Sequence, residues 1–274
     1  MTRGTRLLSV LPTFVVPDVE AAQAWYAEKL GFRKCGTFGE KPEQFGIVDR
    51  AEGQGIHFKS TESCGSGAAG ARRNNGSKPS GAGVGSDTLA IDAYIRIPDA
   101  DRLHEELQRR GANIVQPPTD RPWKQRVFLV QDLDGFVLCF GADTTGTFPP
   151  NGFSTAPELV VKDIRRSTAF YKDGLGFPHV AQFFDPPRYA IARREGAIVH
   201  FTLAEGTPIP PSNRTAGEIW DAYVEVVGVD VLAQELRSRG VKLQRGPEDT
   251  FYGAREIEVV DPDGYHIAFG ELGE

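Results

Sequence analysis

Trp25-Tyr26-Ala27-Glu28-Lys29-Leu30-Gly31-Phe32 returns 145 positions later as Phe170-Tyr171-Lys172-Asp173-Gly174-Leu175-Gly176-Phe177. An aromatic pair, a Leu-Gly stop and a following Phe keep their order and spacing, so the chain carries an internal repeat, which settles the architecture before any single element does. Working outward, Val16-Pro17-Asp18 matches Val161-Lys162-Asp163 at the same offset, and Ile56-His57-Phe58 matches Val199-His200-Phe201 at 143. Asp92-Ala93-Tyr94 matches Asp221-Ala222-Tyr223 at 129, as do Arg126 with Arg255 and Asp132-x-Asp134-Gly135 with Asp261-Pro262-Asp263-Gly264. The first copy therefore holds about 14 more residues between its His and its Asp, within the Gly-, Ser- and Ala-rich stretch 61–87. That composition predicts a flexible loop. The predicted division is a first domain over 1–143, a linker over 144–154 with the turn and breaker chemistry of Thr144-Thr145-Gly146 and Pro149-Pro150-Asn151-Gly152, and a second domain over 155–274.

Within each copy the hydrophobic period alternates between strand and helix, an α+β pattern. Leu11–Val16 and Glu158–Val161 are short apolar strands ending at an Asp that opens a helix. Ala21, Ala24, Trp25 and Leu30 are expected to form the buried face of the first helix, and Thr168, Phe170, Tyr171 and Leu175 that of its counterpart. Gly31 and Gly176 stop them. Hairpin strands follow at Phe45–Val48 with Ile56–Lys59 and at Tyr189–Ala192 with Ile198–Leu203; a second strand, helix and strand pair then runs over 90–140 and 220–269. The Asp-x-Asp-Gly segments read as turn chemistry.

Composition narrows the class of function. A length of 274 residues suits two domain cores. Hydrophobic residues at 40% and charged residues at 25% match globular averages, and no apolar run approaches a membrane span. The first residues lack the apolar stretch of a signal peptide, so a cytoplasmic protein is expected. A net charge of -6 lacks the basic stripe that nucleic-acid binding requires. Cys35, Cys64 and Cys139 are too few and too scattered for a disulfide framework. The chain has no phosphate-binding Gly loop, no Gly-x-Ser-x-Gly elbow and no His-Glu-x-x-His.

The order of landmarks, from the strand-Asp-helix opening through the His-Phe strand, the Asp-Ala-Tyr strand and the Asp-x-Asp-Gly turn, resembles the vicinal-oxygen-chelate superfamily of glyoxalases, bleomycin-resistance proteins and extradiol dioxygenases. The resemblance spans nearly the whole chain, and Ile219-Trp220-Asp221-Ala222-Tyr223 with Val199-His200-Phe201 look most like the bleomycin-resistance branch. It implies two tandem domains, each a pair of βαβββ modules forming a cupped mixed β-sheet flanked by helices, with a ligand held in the cup. Metal-using members place ligands at four positions that align here with Leu11, His57, Asp92 and Cys139 in the first copy, and with Ala156, His200, Asp221 and Ala268 in the second. A divalent ion needs about three N, O or S donors, and the last-strand carboxylate is missing from both copies. No cofactor is therefore expected, with a divalent metal on His57, Asp92 and Cys139 as the alternative.

The expected function is metal-independent binding of a small antibiotic or metabolite, the alternative being a glyoxalase-, dioxygenase- or lyase-type enzyme with His57 or His200 as general base. Expected lining residues are His57, Asp92, Tyr94, Trp123, Phe184, Tyr189, His200, Trp220, Asp221, Tyr223 and Tyr252. For His57 and His200 the competing reading is a buried histidine hydrogen-bonded to a neighbour. For Asp92 and Asp221 it is a carboxylate that anchors a loop, and for Trp123 and Tyr252 it is packing. The expected partner is a small molecule, with no nucleic acid or membrane, on a monomer or homodimer.

Overall fold

A computed structural model describes residues 5–39, 45–51, 54–60, 91–145, 152–204 and 220–273. The expected flexible stretch 61–87 and most of the linker lie outside the described residues. The first copy runs β1 (Arg6–Val16), α1 (Val19–Leu30), β2 (Arg33–Phe38), β3 (Phe45–Ala51) and β4 (Gln54–Ser60), then β5 (Ala93–Arg96), α2 (Ala100–Arg109), β6 (Ile114–Arg121), β7 (Gln125–Gln131) and β8 (Val137–Asp143). The second repeats it as β9 (Ser154–Val161), α3 (Ile164–Ala169, continued by a π-helical turn over Phe170–Gly174), β10 (His179–Phe183), β11 (Tyr189–Arg194) and β12 (Ala197–Leu203). It ends with β13 (Ala222–Val227), α4 (Val229–Ser238), β14 (Leu243–Asp249), β15 (Ala254–Val260) and β16 (His266–Leu272). These are four βαβββ modules. Three of the helices open on an Asp whose carboxylate takes orphan amides of the first turn: Asp18, Asp99 and Asp163.

The modules form two eight-stranded sheets, and each sheet joins modules from different copies. The outer sheet, built from the first and last modules, has the order β14-β15-β16-β13-β1-β4-β3-β2. The inner sheet, built from the middle two, has the order β10-β11-β12-β9-β5-β8-β7-β6. Antiparallel seams close them, with Leu11 opposite Tyr223 between β1 and β13, and Tyr94 opposite Ala156 between β5 and β9. A sheet confined to one copy, as the tandem repeat alone suggests, is thus corrected to a sheet shared between copies.

The cores divide the other way. Tyr26, Phe58, Leu107, Phe128 and Phe140, all from the first copy, share one helix-side cluster, while Tyr171, Phe201, Leu236, Ile257 and Phe269 share the second copy's. Helices therefore pack within a copy and strands pair across copies. Phe14 and Phe58 face the helices, so alternation turns their neighbours Thr13 and His57, which are paired across β1 and β4, to the opposite, concave face.

Two expectations about the helices and edges need correction. In α1 the buried residues are Val19, Ala22, Gln23, Tyr26 and Leu30; Ala21 and Ala24 are exposed and Trp25 is half-buried. The face is set by Tyr26, whose phenol donates to buried Asp132 of the turn before β8 at 2.9 Å. The edge strands β2, β6, β10 and β14 carry polar, largely exposed sequences that lack a strand period, and sequence reading gave them no bounds. No helix among the described residues is long and apolar enough to cross a membrane.

Two candidate ligand cups

The concave face of the outer sheet presents Thr13, His57 and Phe45 from the first module and Tyr223, Glu256, Glu258 and Ala268 from the last. His57 is buried, its pKa pulled down to about 3 by desolvation, and its Nδ1 has no hydrogen-bond partner. Around it stand Phe45 at 5.2 Å and Tyr223 at 5.4 Å between ring centroids, with Trp220 5.1 Å from Tyr223. Below lies a charged floor. Glu256 and Glu258 are fully buried, and Arg245 reaches both, at 2.8 and 3.4 Å. Tyr252 donates to Glu256 at 2.6 Å, and His266 pairs with Glu258. The turn before β15 carries Phe251, 94% exposed, beside Tyr252 at the mouth.

The inner cup has the same frame and different chemistry. Tyr94, Val127, Leu129 and Cys139 make an apolar floor. Opposite them, His200 on β12 pairs in register with Glu158 on β9. The Tyr189 hydroxyl bonds His200 Nδ1 at 2.5 Å, and the Tyr94 ring lies 4.8 Å from the imidazole. Burial, then the nearby Arg193 and Arg96, hold His200 down to about 3. Glu158, 6% exposed, accepts from the Thr202 hydroxyl at 2.6 Å through Oε1, while its Oε2 is buried without a partner. Desolvation pushes its carboxyl up to about 8, so the acid is neutral at pH 7. Trp123, in the turn between β6 and β7, sits under the Arg121 guanidinium at 6.0 Å. Phe183 packs its ring 5.7 Å from that of Tyr189, and the next residue, Phe184, is 55% exposed in the turn after β10 and held at φ 71°. A left-handed backbone is unusual for a bulky residue and marks a locally constrained turn.

Each cup also uses one glycine in the same way. Tyr94 lies across Gly141 and Tyr223 across Gly270, so closely that a Cβ at either glycine would overlap the phenol. The Tyr94 hydroxyl bonds Gln125, and the Tyr223 hydroxyl bonds Glu256, which with burial raises its pKa.

Of the expected lining residues, the structure gathers His57, Trp220, Tyr223 and Tyr252 in the outer cup and Tyr94, Tyr189 and His200 in the inner one, while Trp123 and Phe184 lie in the turns that follow β6 and β10. Asp92 and Asp221 do different work. Their carboxylates accept the backbone amides of Val137 and His266, each at 2.8 Å, and so fix the start of β8 and β16. A first-copy metal set of His57, Asp92 and Cys139 is excluded by the exchange of modules, because His57 stands in the outer cup and the other two in the inner one. The regrouped positions do not fit a metal either. In the outer cup Leu11, His57, Asp221 and Ala268 leave one free donor, and Arg245 occupies the carboxylate pair. In the inner cup Asp92 is tied to a backbone amide, His200 Nδ1 to Tyr189, and Cys139 is wholly buried with its thiol pushed well up by desolvation. Among the described residues no three His, Cys, Asp or Glu side chains converge as ligands would.

Sequence reading missed Glu158, Glu256, Glu258 and Arg245. Glu158 was detectable as a carboxylate inside the apolar run Ala156-Pro157-Glu158-Leu159-Val160-Val161. Glu256 and Glu258 alternate with Ile257 and Val259, a pattern that a solvent-facing strand shares.

Comparison with known proteins agrees with this frame. The profile of the Glyoxalase/Bleomycin resistance protein/Dioxygenase superfamily matches residues 8–140 and again 155–269. Among solved structures, glyoxalase I from Zea mays superposes with a TM-score of 0.64 at 18% identity, covering 98% of this chain and 92% of that one. A putative dioxygenase from Bacillus subtilis superposes with a TM-score of 0.65 at 11% identity, over 98% and 86%. At such identities the likeness is one of fold. No curated protein sequence matches the chain. Two profile matches spanning most of the chain, on four βαβββ modules that form two cupped sheets, establish that this protein belongs to the glyoxalase/bleomycin resistance/dioxygenase superfamily.

Proposed function

We propose that the chain binds small organic molecules in its sheet cups without a metal ion, as a binding protein of the bleomycin-resistance type. One observation carries this reading: each cup holds, beneath an aromatic mouth, a buried polar atom with no protein partner, His57 Nδ1 in the outer cup and Glu158 Oε2 in the inner one. A buried hydrogen-bonding group left unmade costs roughly 1–3 kcal/mol, and a ligand that supplies its partner recovers it. The poor fit of both donor sets to a metal supports the same reading. Each cup is completed by two modules of one chain, so binding needs no second copy. The test is titration with metal-free bleomycin and with an anthracycline, followed by calorimetry and tryptophan fluorescence. Quenching is expected from Trp220 or Trp123, to persist in Trp25→Phe, and to be unaffected by chelator. Absence of heat and quenching with both probes, or binding that chelator abolishes, overturns the reading.

A second reading, an acid–base enzyme acting on a small carbonyl compound, draws on the inner cup. There a carboxyl that stays protonated at pH 7 faces a neutral imidazole, a pair able to give and take a proton. Exchange of solvent deuterium into the C–H next to a bound carbonyl, followed by NMR, tests it. Exchange that is absent, or undiminished in Glu158→Gln, sinks it.

A further inference from the structure

We propose that the outer cup takes an uncharged phenol, whose hydroxyl stands at His57 Nδ1 in the place that Tyr189, a side chain of the protein itself, fills beside His200 in the inner cup. This rests on the reading of the cups as binding sites and adds the chemistry that one of them recognises.

The two histidines hold one position of the frame. His200 lies two residues before Thr202, which pairs with Tyr189, and His57 lies two residues before Lys59, which pairs with Phe45. Each histidine thus has an aromatic ring as its diagonal neighbour on the adjoining strand. The ring centroids are 5.8 Å apart in the inner cup and 5.2 Å in the outer, edge-on in both. The inner ring carries a hydroxyl, which bonds His200 Nδ1 at 2.5 Å. The outer ring has none, and His57 Nδ1 is buried without a partner. His57 is only 5% exposed, so bulk water does not make up the loss.

The chemistry of the place is that of a hydroxyl on a ring. A hydroxyl both donates and accepts, so it suits Nδ1 in either tautomer. Burial lowers the His57 pKa to about 3 and keeps the imidazole neutral, whereas at His200 two arginines add to the same effect. Nothing at His57 therefore asks its partner for a charge. The ring that bears the hydroxyl meets other rings: Tyr223 lies 5.4 Å from the imidazole and 5.1 Å from Trp220, and Trp220 lies 6.2 Å from Phe45. Access differs in the same sense. Tyr189, 1% exposed, seals the inner histidine, while Phe45 is half-buried.

The test uses the two side chains as ligands: p-cresol carries the ring and hydroxyl of tyrosine, toluene the ring of phenylalanine. On the intact protein p-cresol is expected to bind roughly three- to tenfold more tightly than toluene in calorimetry, the net worth of one hydrogen bond to a buried group. It should also shift the His57 Nδ1 resonance in nitrogen NMR, which toluene leaves in place. Phe45→Tyr supplies the hydroxyl from the chain, so it should raise the melting temperature and abolish the preference for p-cresol. Tyr189→Phe should do the reverse and give the inner cup a p-cresol site of its own. Equal affinities for the two compounds would mean that water alone fills the place and overturn the inference, as would a preference that survives in folded Phe45→Tyr. If neither compound binds but metal-free bleomycin does, the phenol inference fails and the binding function stands. If no probe binds, both fail.

Discussion

The two cups share strand order, seam and tyrosine-on-glycine floor, and differ in charge at equivalent places. Arg193 and Arg96 of the inner cup correspond, by the repeat, to Asp49 and Glu225 of the outer. Val127 and Leu129 correspond to Glu256 and Glu258, and Gln116 to Arg245. One frame thus holds a cationic cup with an apolar floor and an acidic cup whose floor is an ion-pair network. The backbone of such a cup is indifferent to the charge of its lining, because the strands satisfy their own hydrogen bonds and the concave side chains are free to vary. Duplication then allows two different linings in one chain, which a homodimer of identical subunits cannot achieve.

The comparison can be broken hardest at Arg245. Arg245→Leu leaves Glu256 and Glu258 buried with their shared cation removed, and the expected loss is about 3–5 kcal/mol in denaturant unfolding. Gln116→Leu at the equivalent inner position should cost less than about 1 kcal/mol. Equal effects would mean that the outer network is not the floor's main support. Converting the whole outer floor to the inner pattern, Arg245→Gln with Glu256→Val and Glu258→Leu, removes both carboxylates together with their cation, while Tyr223, Tyr252 and His266 each lose an acceptor. It should be neutral or stabilising by up to about 4 kcal/mol, and a large loss of stability would show that the network shapes the cup.

The glycines sharpen the common part. Gly141→Ala and Gly270→Ala should each cost roughly 1–3 kcal/mol by displacing a tyrosine, measured as a fall in melting temperature. A cost in one cup alone would show that the two floors are not equivalent.

Glu158→Gln reads the acid of the inner cup through pH. Its folded pKa, about 8, lies above the ordinary carboxyl value of 4.5. The folded state therefore binds the proton more tightly, and the associated stability is complete below pH 4.5 and is lost as pH rises toward 8. Glutamine keeps the shape without ionising, so the variant should match the parent near pH 5 and exceed it above pH 8 by roughly 1–2 kcal/mol. A constant difference across that range would show that Glu158 does not titrate as described. His200 has the opposite sign: folded at about 3, it favours folding above pH 6.5 and loses that contribution as pH falls toward 3. The smallest effect belongs to Phe251→Ser, within about 0.5 kcal/mol of the parent because the ring is exposed. Its signature should be weaker ligand binding in the outer cup alone.

Much of this frame was legible in the sequence. Periodicity and Asp caps located the helices, and paired landmarks revealed the duplication. The exchange of modules was not legible, because β1 meets β13 through backbone hydrogen bonds and alternating side chains that would suit β5 equally well. The polar floor escaped for a related reason. A strand reading Glu256-Ile257-Glu258-Val259 has the same alternation whether its polar side faces water or a closed cup. Individual roles were recoverable where chemistry is specific to the residue, as for the histidines on the concave face. They were not recoverable where it depends on neighbours, as for Asp92 and Asp221, whose backbone partners lie 45 positions away.

The seams also set an order of assembly. Tyr94 and Ala156 lie close in the chain, so the inner sheet can form as soon as the third module leaves the ribosome. Leu11 must wait for Tyr223, 212 residues later, on the order of ten to forty seconds at ~5–20 residues per second. During that interval β1 has an open edge of the kind that pairs with other chains. The inner cup is thus available early, and the outer cup exists only once the fourth module has been made.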